Sequence, residues 1–165
     1  MIDKVNSLSE KDLRVQLKSC CSSTKWAESL LQERPFASRE DFLEKGESIW
    51  KALDHSDVME AFDGHPKIGD TKQDEPQFKA GKSFSQKEQQ GVAGASEELL
   101  ETMRELNAQY EQRFGYIYIV FASGKSLTQM VSIIKERLEN GADDELEVAK
   151  NEQFKITKNR MEKLL

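Results

Sequence analysis

At six places along the 165-residue chain, serine or aspartate stands just ahead of apolar residues that recur every three or four positions. Ser9, with Asp12, precedes Leu13 and Leu17, and Ser23 precedes Trp26, Leu30 and Leu31 in a segment closed by Pro35. Ser38 and Asp41 stand ahead of Phe42, Ile49, Trp50 and Leu53. Ser96, followed by Glu97 and Glu98, opens a stretch carrying Leu99, Met103, Leu106 and Tyr110. Ser126 opens another through Leu127, Met130, Ile134 and Leu138 that stops at Asn140-Gly141, and Asp143 and Asp144 lead a last one to the C-terminus. A side-chain oxygen at such a position caps an otherwise unpaired helical N–H, and a period of three to four gathers the apolar residues on one face. The pattern predicts an all-α chain, a single compact multi-helix domain over residues 1–165, long enough to bury a core without disulfides or metals.

Two stretches break the helical rhythm. Residues 63–84 hold two of the three prolines together with Gly64, Gly69 and Gly81, the composition of a long ordered loop, and such loops in compact domains are often functional. The run FGYIYIVFASG, residues 114–124, mixes aromatic and β-branched residues and reads by propensity as a strand. No partner strand is apparent, so the expectation is a buried extended segment between helices.

The formal charge of −6, with lysine and arginine interleaved among glutamate and aspartate, gives no general attraction for phosphate backbones and argues against nucleic acid as a partner. No apolar run approaches a membrane span, and the N-terminal MIDKVNSLSEKDL has no signal-like hydrophobic segment. Cys20 and Cys21 are adjacent, which suits reduced thiols packed in a helix better than a disulfide, and with His55 and His65 they make no zinc spacing. These features lead to an expectation of a cytoplasmic protein with no metal site.

Three places could carry chemistry. In AFDGHPKIGD, His65 is held between Gly64 and Pro66, where the backbone has little freedom, and the imidazole is either a positioned acid–base group or a turn residue bonding a carbonyl. Ser85-Gln86-Lys87-Glu88-Gln89 has the spacing of a capping box, yet a helix start also offers N–H groups to an anionic ligand. Arg160 shares a helical face with Leu146, Ala149, Gln153, Ile156 and Leu164, so its charge must pair internally or reach into a pocket to hold a carboxylate. SGKS at 123–126 and GKSF at 81–84 lack the upstream glycine of a phosphate-binding loop, with Ile119 and Pro76 in its place. Any chemistry is therefore expected to be cofactor-free acid–base work by His65, Glu88 and Arg160. His55, in a polar stretch, is assigned no role.

The ordered set HPKIGD (65–70), SQKEQ (85–89), LNAQYEQRFGYIYIVFASGKS (106–126) and ELEVAKNEQFKITKNRMEKLL (145–165), with WAESLLQERPF (26–36), resembles the 2-oxo-4-hydroxy-4-carboxy-5-ureidoimidazoline (OHCU) decarboxylases of urate degradation. The resemblance covers essentially the whole chain, and ASGKS after the extended run looks like the bacterial and plant members. It implies an all-α fold, conversion of OHCU to (S)-allantoin with loss of CO2, and neither metal nor organic cofactor. By the same resemblance the catalytic histidine maps onto His65. Substrate contacts map onto Pro66, onto Ser85, Gln86, Lys87, Glu88 and Gln89, and onto Arg160, with backbone contacts at Tyr118, Ile119, Val120, Phe121 and Ala122. Family members with an FGFPF run have proline where this chain has Ile117.

The implied reaction suits these residues. A carbon beside an imine can lose CO2 because the imine accepts the electron pair, so the protein must orient the carboxylate and manage protons. His65 would move the protons, with Glu88 orienting it or binding ureido and ring N–H groups. Arg160 would orient rather than drive, since too tight a grip on the carboxylate stabilises the ground state. The expected partner is a small ureidoimidazoline, and the reading allows a homodimer or association with other urate-pathway enzymes. The rival is a non-catalytic helical module that binds a ureide or a partner protein.

Overall fold

The computed structural model describes residues 1–69 and 96–165, and among these the chain forms eight helices and no strand. They are α1 (Ile2–Ser7), α2 (Glu10–Cys20), α3 (Thr24–Gln32), α4 (Arg39–Ala52), α5 (His55–Asp63), α6 (Glu97–Phe114), α7 (Leu127–Arg137) and α8 (Ala142–Glu162). The five serine caps are present: Ser9, Ser23, Ser38, Ser96 and Ser126 accept from the backbone N–H of Asp12, Trp26, Asp41, Leu99 and Gln129 at 3.0–3.2 Å. Ser126 completes a reciprocal box, its N–H donating to Gln129 Oε1 at 2.7 Å. None of the described helices is long and apolar enough to cross a membrane.

Helices α1 and α5 were not anticipated. The short α1 buries only Val5 and has no side-chain cap. For α5 the signal was present: Asp54 accepts from Asp57 N–H at 3.0 Å, and Val58, Ala61 and Phe62 fall on one buried face. His55 opens this helix, which ends at Gly64.

The chain divides into two compact units, residues 1–64 with 154–165, and residues 65–153. In the first, α3 packs against α2, α4 and α5 around Leu13, Leu17, Trp26, Leu30, Phe42, Phe62 and Met161. The Trp26 indole N–H donates to the Gly46 carbonyl at 2.9 Å. A Cβ at Gly46 would start 2.6 Å from Met161 Cε, so any larger residue there would require the methionine tip to shift. Cys20 and Cys21 are buried in this unit and form no disulfide, and burial pushes the Cys21 thiol up to about 11, which keeps it protonated at neutral pH.

In the second unit α6 and α7 pack together around Met103, Tyr110, Leu127, Met130 and Ile134. Helix α6 keeps Phe114 and stops at Gly115, whose φ of +83° is the left-handed turn that glycine adopts without a Cβ penalty. Residues 116–122 then run extended, with Tyr116, Tyr118, Ile119, Val120 and Ala122 buried, and Ser123 and Gly124 turn toward α7. The expected extended segment is thus present, trimmed at both ends. Side chains take three of its backbone groups. Arg137 Nη1 donates to the Ile119 carbonyl at 2.6 Å, Phe121 N–H donates to Glu152 Oε1 at 3.2 Å, and Lys125 Nζ donates to the Phe121 carbonyl at 2.6 Å. Of the expected loop, residues 64–69 follow α5 and the remainder, 70–84, lies outside the described residues.

A buried ion pair organises this unit. Glu145, fully buried, takes Arg137 Nε at 2.6 Å and the Tyr110 hydroxyl at 2.5 Å on Oε1, and Asn140 Nδ2 at 2.9 Å on Oε2. Arg137 also lies over the Tyr118 ring, 4.8 Å from its centroid. Burial, reinforced by the bond to Glu145, holds the Tyr110 phenol far above its usual range. Burial opposes the charge on Arg137, but Tyr110 and Glu145 more than compensate and raise its pKa. The sequence stripe placed Leu138 and Leu146 on the inner faces; both are half-buried, and the charged residues beside them are the ones enclosed.

Glu145→Leu leaves the Arg137 guanidinium buried without its carboxylate and is expected to cost about 3–5 kcal/mol, whereas Glu145→Leu with Arg137→Met is expected to cost much less. Urea unfolding followed by near-ultraviolet circular dichroism measures both. Equal losses in the single and double variants would show that the pair is not what stabilises this unit.

Candidate active site

His65 begins the second unit, in the turn that follows α5. Three bonds from two helices fix this turn. Its imidazole Nε2 lies 2.6 Å from Gln153 Oε1 on α8, Lys67 Nζ pairs with Glu111 at 2.8 Å on α6, and Asn107 Nδ2, also on α6, donates to the Ile68 carbonyl at 3.1 Å. Pro66 and Ile68 are buried, and Gly69 turns the chain with a φ of +77°. His65 itself is partly exposed while Gln153 is fully buried, so the ring reaches the surface from an anchor inside. This is a positioned imidazole.

The next residue along α8 connects the turn to the extended segment. Glu152 accepts from Phe121 N–H and Gln153 bonds His65, so consecutive side chains of one helix hold both parts. Tyr118, Ile119, Val120, Phe121 and Ala122, expected to offer backbone contacts, are mostly buried, and several of their peptide groups are already used. The Ile119 and Phe121 carbonyls, Phe121 N–H and the Ala122 carbonyl are bonded to Arg137, Lys125, Glu152 and Lys125 N–H respectively. Ser85, Gln86, Lys87, Glu88 and Gln89 lie outside the described residues.

Arg160 belongs to the first unit. It is buried at 4 % exposure, with Nη1 directed at the Ser19 carbonyl at 3.4 Å. Gln153 and Glu152 are the site residues that sequence reasoning missed. The signal for Gln153 was there, a polar side chain on the apolar stripe of the last helix, but nothing in the sequence joined it to His65. Among the described residues no group of three or more His, Cys, Asp and Glu side chains could hold a metal ion.

Among the described residues the chain is helical, and its last helix holds both the His65 imidazole and the Phe121 N–H. The family model for OHCU decarboxylase matches residues 6–162, and the chain belongs to the OHCU decarboxylase family, a family of carboxy-lyases. It is 33% identical over 147 residues to the uric acid degradation bifunctional protein TTL of Arabidopsis thaliana, covering 89% of this chain and 45% of that protein. It is 26% identical over 161 residues to the uric acid degradation bifunctional protein PucL of Bacillus subtilis (strain 168), covering 97% of this chain and 32% of the relative. The chain therefore spans less than half the length of these curated relatives. A crystal structure of OHCU decarboxylase in the presence of (S)-allantoin superimposes with a TM-score of 0.78 at 34% identity, covering 91% of this chain and 96% of that one. A structure of (S)-allantoin synthase, at 14% identity and a TM-score of 0.75, shares the fold and covers 100% of this chain and 54% of that one. Plant and bacterial relatives both match, so the similarity does not single out a bacterial branch.

Gly64, the residue before His65, closes α5 against Ser22: a Cβ there would lie 1.9 Å from the Ser22 hydroxyl oxygen. Gly64→Ala is expected to destabilise by about 1–3 kcal/mol through overpacking. Ser22→Gly in the same chain should recover at least half of that loss in thermal melts. Recovery of nothing would place the cost elsewhere than in this contact.

Proposed function

We propose that this chain converts OHCU to (S)-allantoin and CO2 without a cofactor, with His65 as its acid–base residue. The observation that carries the reading is the 2.6 Å bond that fixes the His65 imidazole to a buried amide, in a chain that belongs to a family of decarboxylases. A histidine that only capped a turn would need no anchor reaching 88 residues along the chain.

In this reading His65 takes up a proton as the carboxylate departs and returns one to the ring carbon from a single face, which sets the hand of the product. The imine beside the reacting carbon accepts the electron pair from the breaking bond, and the one carbon and two oxygens of the carboxylate leave as CO2. Glu88 orients His65 or binds the ureido N–H groups, and Ser85, Gln86, Lys87 and Gln89 contribute further substrate contacts. Pro66 lines the site beside the histidine. Backbone groups of Tyr118, Ile119, Val120, Phe121 and Ala122 that are not bonded within the unit contribute the peptide contacts from the extended segment. Arg160 orients the substrate carboxylate.

The further parts of the reading have narrower support. A single domain over residues 1–165 is supported by a family match that runs through 6–162. A cytoplasmic location is supported by two cysteines that form no disulfide. A homodimer or docking with other urate-pathway enzymes is part of the reading; for docking, the support is that the matching relatives are named as uric acid degradation bifunctional proteins and are longer than this chain.

Substrate generated in place from urate by the upstream enzymes, with circular dichroism of the product, tests the proposal. Wild-type protein should give rapid, one-handed allantoin, and His65→Asn should slow its formation by roughly 10²–10⁴-fold while leaving the helical spectrum intact. Slow racemic product, the same with and without the protein, would favour a helical module that binds a ureide or a partner protein and performs no catalysis.

A further inference from the structure

Asn140-Gly141 lies between α7 and α8, and it is the only place in the sequence where asparagine precedes glycine. The other four asparagines, Asn6, Asn107, Asn151 and Asn159, lie within helices, whose backbone commits peptide N–H groups to the hydrogen-bonded ladder. A backbone nitrogen can attack the side-chain amide of an asparagine that precedes it, and glycine, having no Cβ, hinders that attack least. Gly141 is exposed, and a Cβ built there would meet nothing within 4 Å, so no neighbour crowds the turn at this residue. The Arg113 guanidinium donates to the Asn140 carbonyl at 2.8 Å. That oxygen belongs to the same peptide group as the Gly141 nitrogen, and a cation bonded to it stabilises the anion formed when the nitrogen gives up its proton.

The side chain exposed to this attack is one the fold uses. Asn140 Nδ2 donates to Glu145 Oε2 at 2.9 Å, while Oε1 of the same fully buried carboxylate takes Arg137 and Tyr110. The partner settles which way the amide points, because a carboxylate paired with a guanidinium only accepts.

We propose that Asn140 is a site of spontaneous deamidation in the folded protein, and that its product sets a second carboxylate against Glu145 and loosens the buried pair with Arg137. The Gly141 nitrogen, its proton lost to solvent, bonds to Asn140 Cγ. The Cγ–Nδ2 bond breaks, and Nδ2 leaves as ammonia with a proton taken from water. Water then opens the cyclic imide at either carbonyl to give aspartate or isoaspartate. Aspartate at this position has no N–H for Glu145 Oε2, and two carboxylates at hydrogen-bond distance oppose each other's charge. Isoaspartate removes the same donor and adds a methylene to the main chain between α7 and α8.

The test incubates the folded wild-type chain at body temperature and mildly alkaline pH and follows each asparagine by peptide mapping with mass spectrometry. Asn140 should convert to a mixture of aspartate and isoaspartate while the four helical asparagines stay intact. Gly141→Ala, whose Cβ meets open space, should slow the conversion by about fivefold or more. The converted wild-type protein, separated by anion exchange, should melt about 5 °C or more below the unconverted fraction, and Asn140→Asp should do the same. Should Asn140→Asp not fold, the separated wild-type fractions carry the comparison. Gly141→Ala incubated alongside should keep its initial melting temperature, which assigns the loss to Asn140 rather than to damage elsewhere. No conversion at Asn140 in the folded chain, under conditions that convert it in the urea-unfolded chain, would overturn the proposal. Converted protein that melts together with the unconverted fraction would overturn it as well.

Discussion

One guanidinium and one carboxylate, enclosed together 2.6 Å apart, shape the second unit of this protein. Taking two charges out of water is expensive, and the cost is offset only when the remaining donors and acceptors also find partners. Here they do. Glu145 uses both oxygens, on Arg137, Tyr110 and Asn140, and Arg137 extends a further N–H to the Ile119 carbonyl. That last bond is the one with consequences beyond stability. It gives the extended segment a partner for a peptide group that would otherwise need a neighbouring strand, and so helps residues 117–122 stay extended among the described helices.

The same pair explains what the sequence could and could not convey. In α7 the stripe runs through Leu127, Met130 and Ile134, and either Arg137 or Leu138 completes it. In α8 either Glu145 or Leu146 begins the next one. Hydropathy favours the leucine both times, and both times the structure buries the charge and leaves the leucine half-exposed. Each choice is unfavourable alone and becomes favourable only because the other was made. A one-dimensional pattern scores positions singly, so it has no means of seeing two charges that justify each other. Caps are a different matter: Ser9, Ser23, Ser38, Ser96 and Ser126 bond residues three positions away, and local interactions of that kind are legible from sequence alone. The missed α5 was legible by the same rule, through Asp54 and Asp57.

The site divides along the same line. The strained composition around His65, glycine before and proline after, marked the histidine as held, and the structure holds it. The identity of the holder was hidden because Gln153 is 88 positions away. It could be recognised in sequence only as a polar residue on an apolar stripe, a description that fits Arg160 and Thr157 as well. Fixing the turn from α6 and α8 at once gives the imidazole a preset orientation before substrate arrives, and an orientation set in advance need not be purchased from binding energy during the reaction.

The choice of an amide as the anchor has its own logic. A carboxylate opposite Nε2 would hold the ring as firmly, but its charge would favour imidazolium and weaken the histidine as a base near neutral pH. Glutamine carries no charge, so it constrains geometry while leaving the basicity of the ring to the rest of the site. Burial strengthens that constraint, because a fully enclosed Gln153 has no water to compete for its oxygen. The demands of the proposed chemistry, a histidine that is oriented yet free to gain and lose a proton, are therefore met better by an uncharged acceptor than by the carboxylate more familiar beside catalytic histidines.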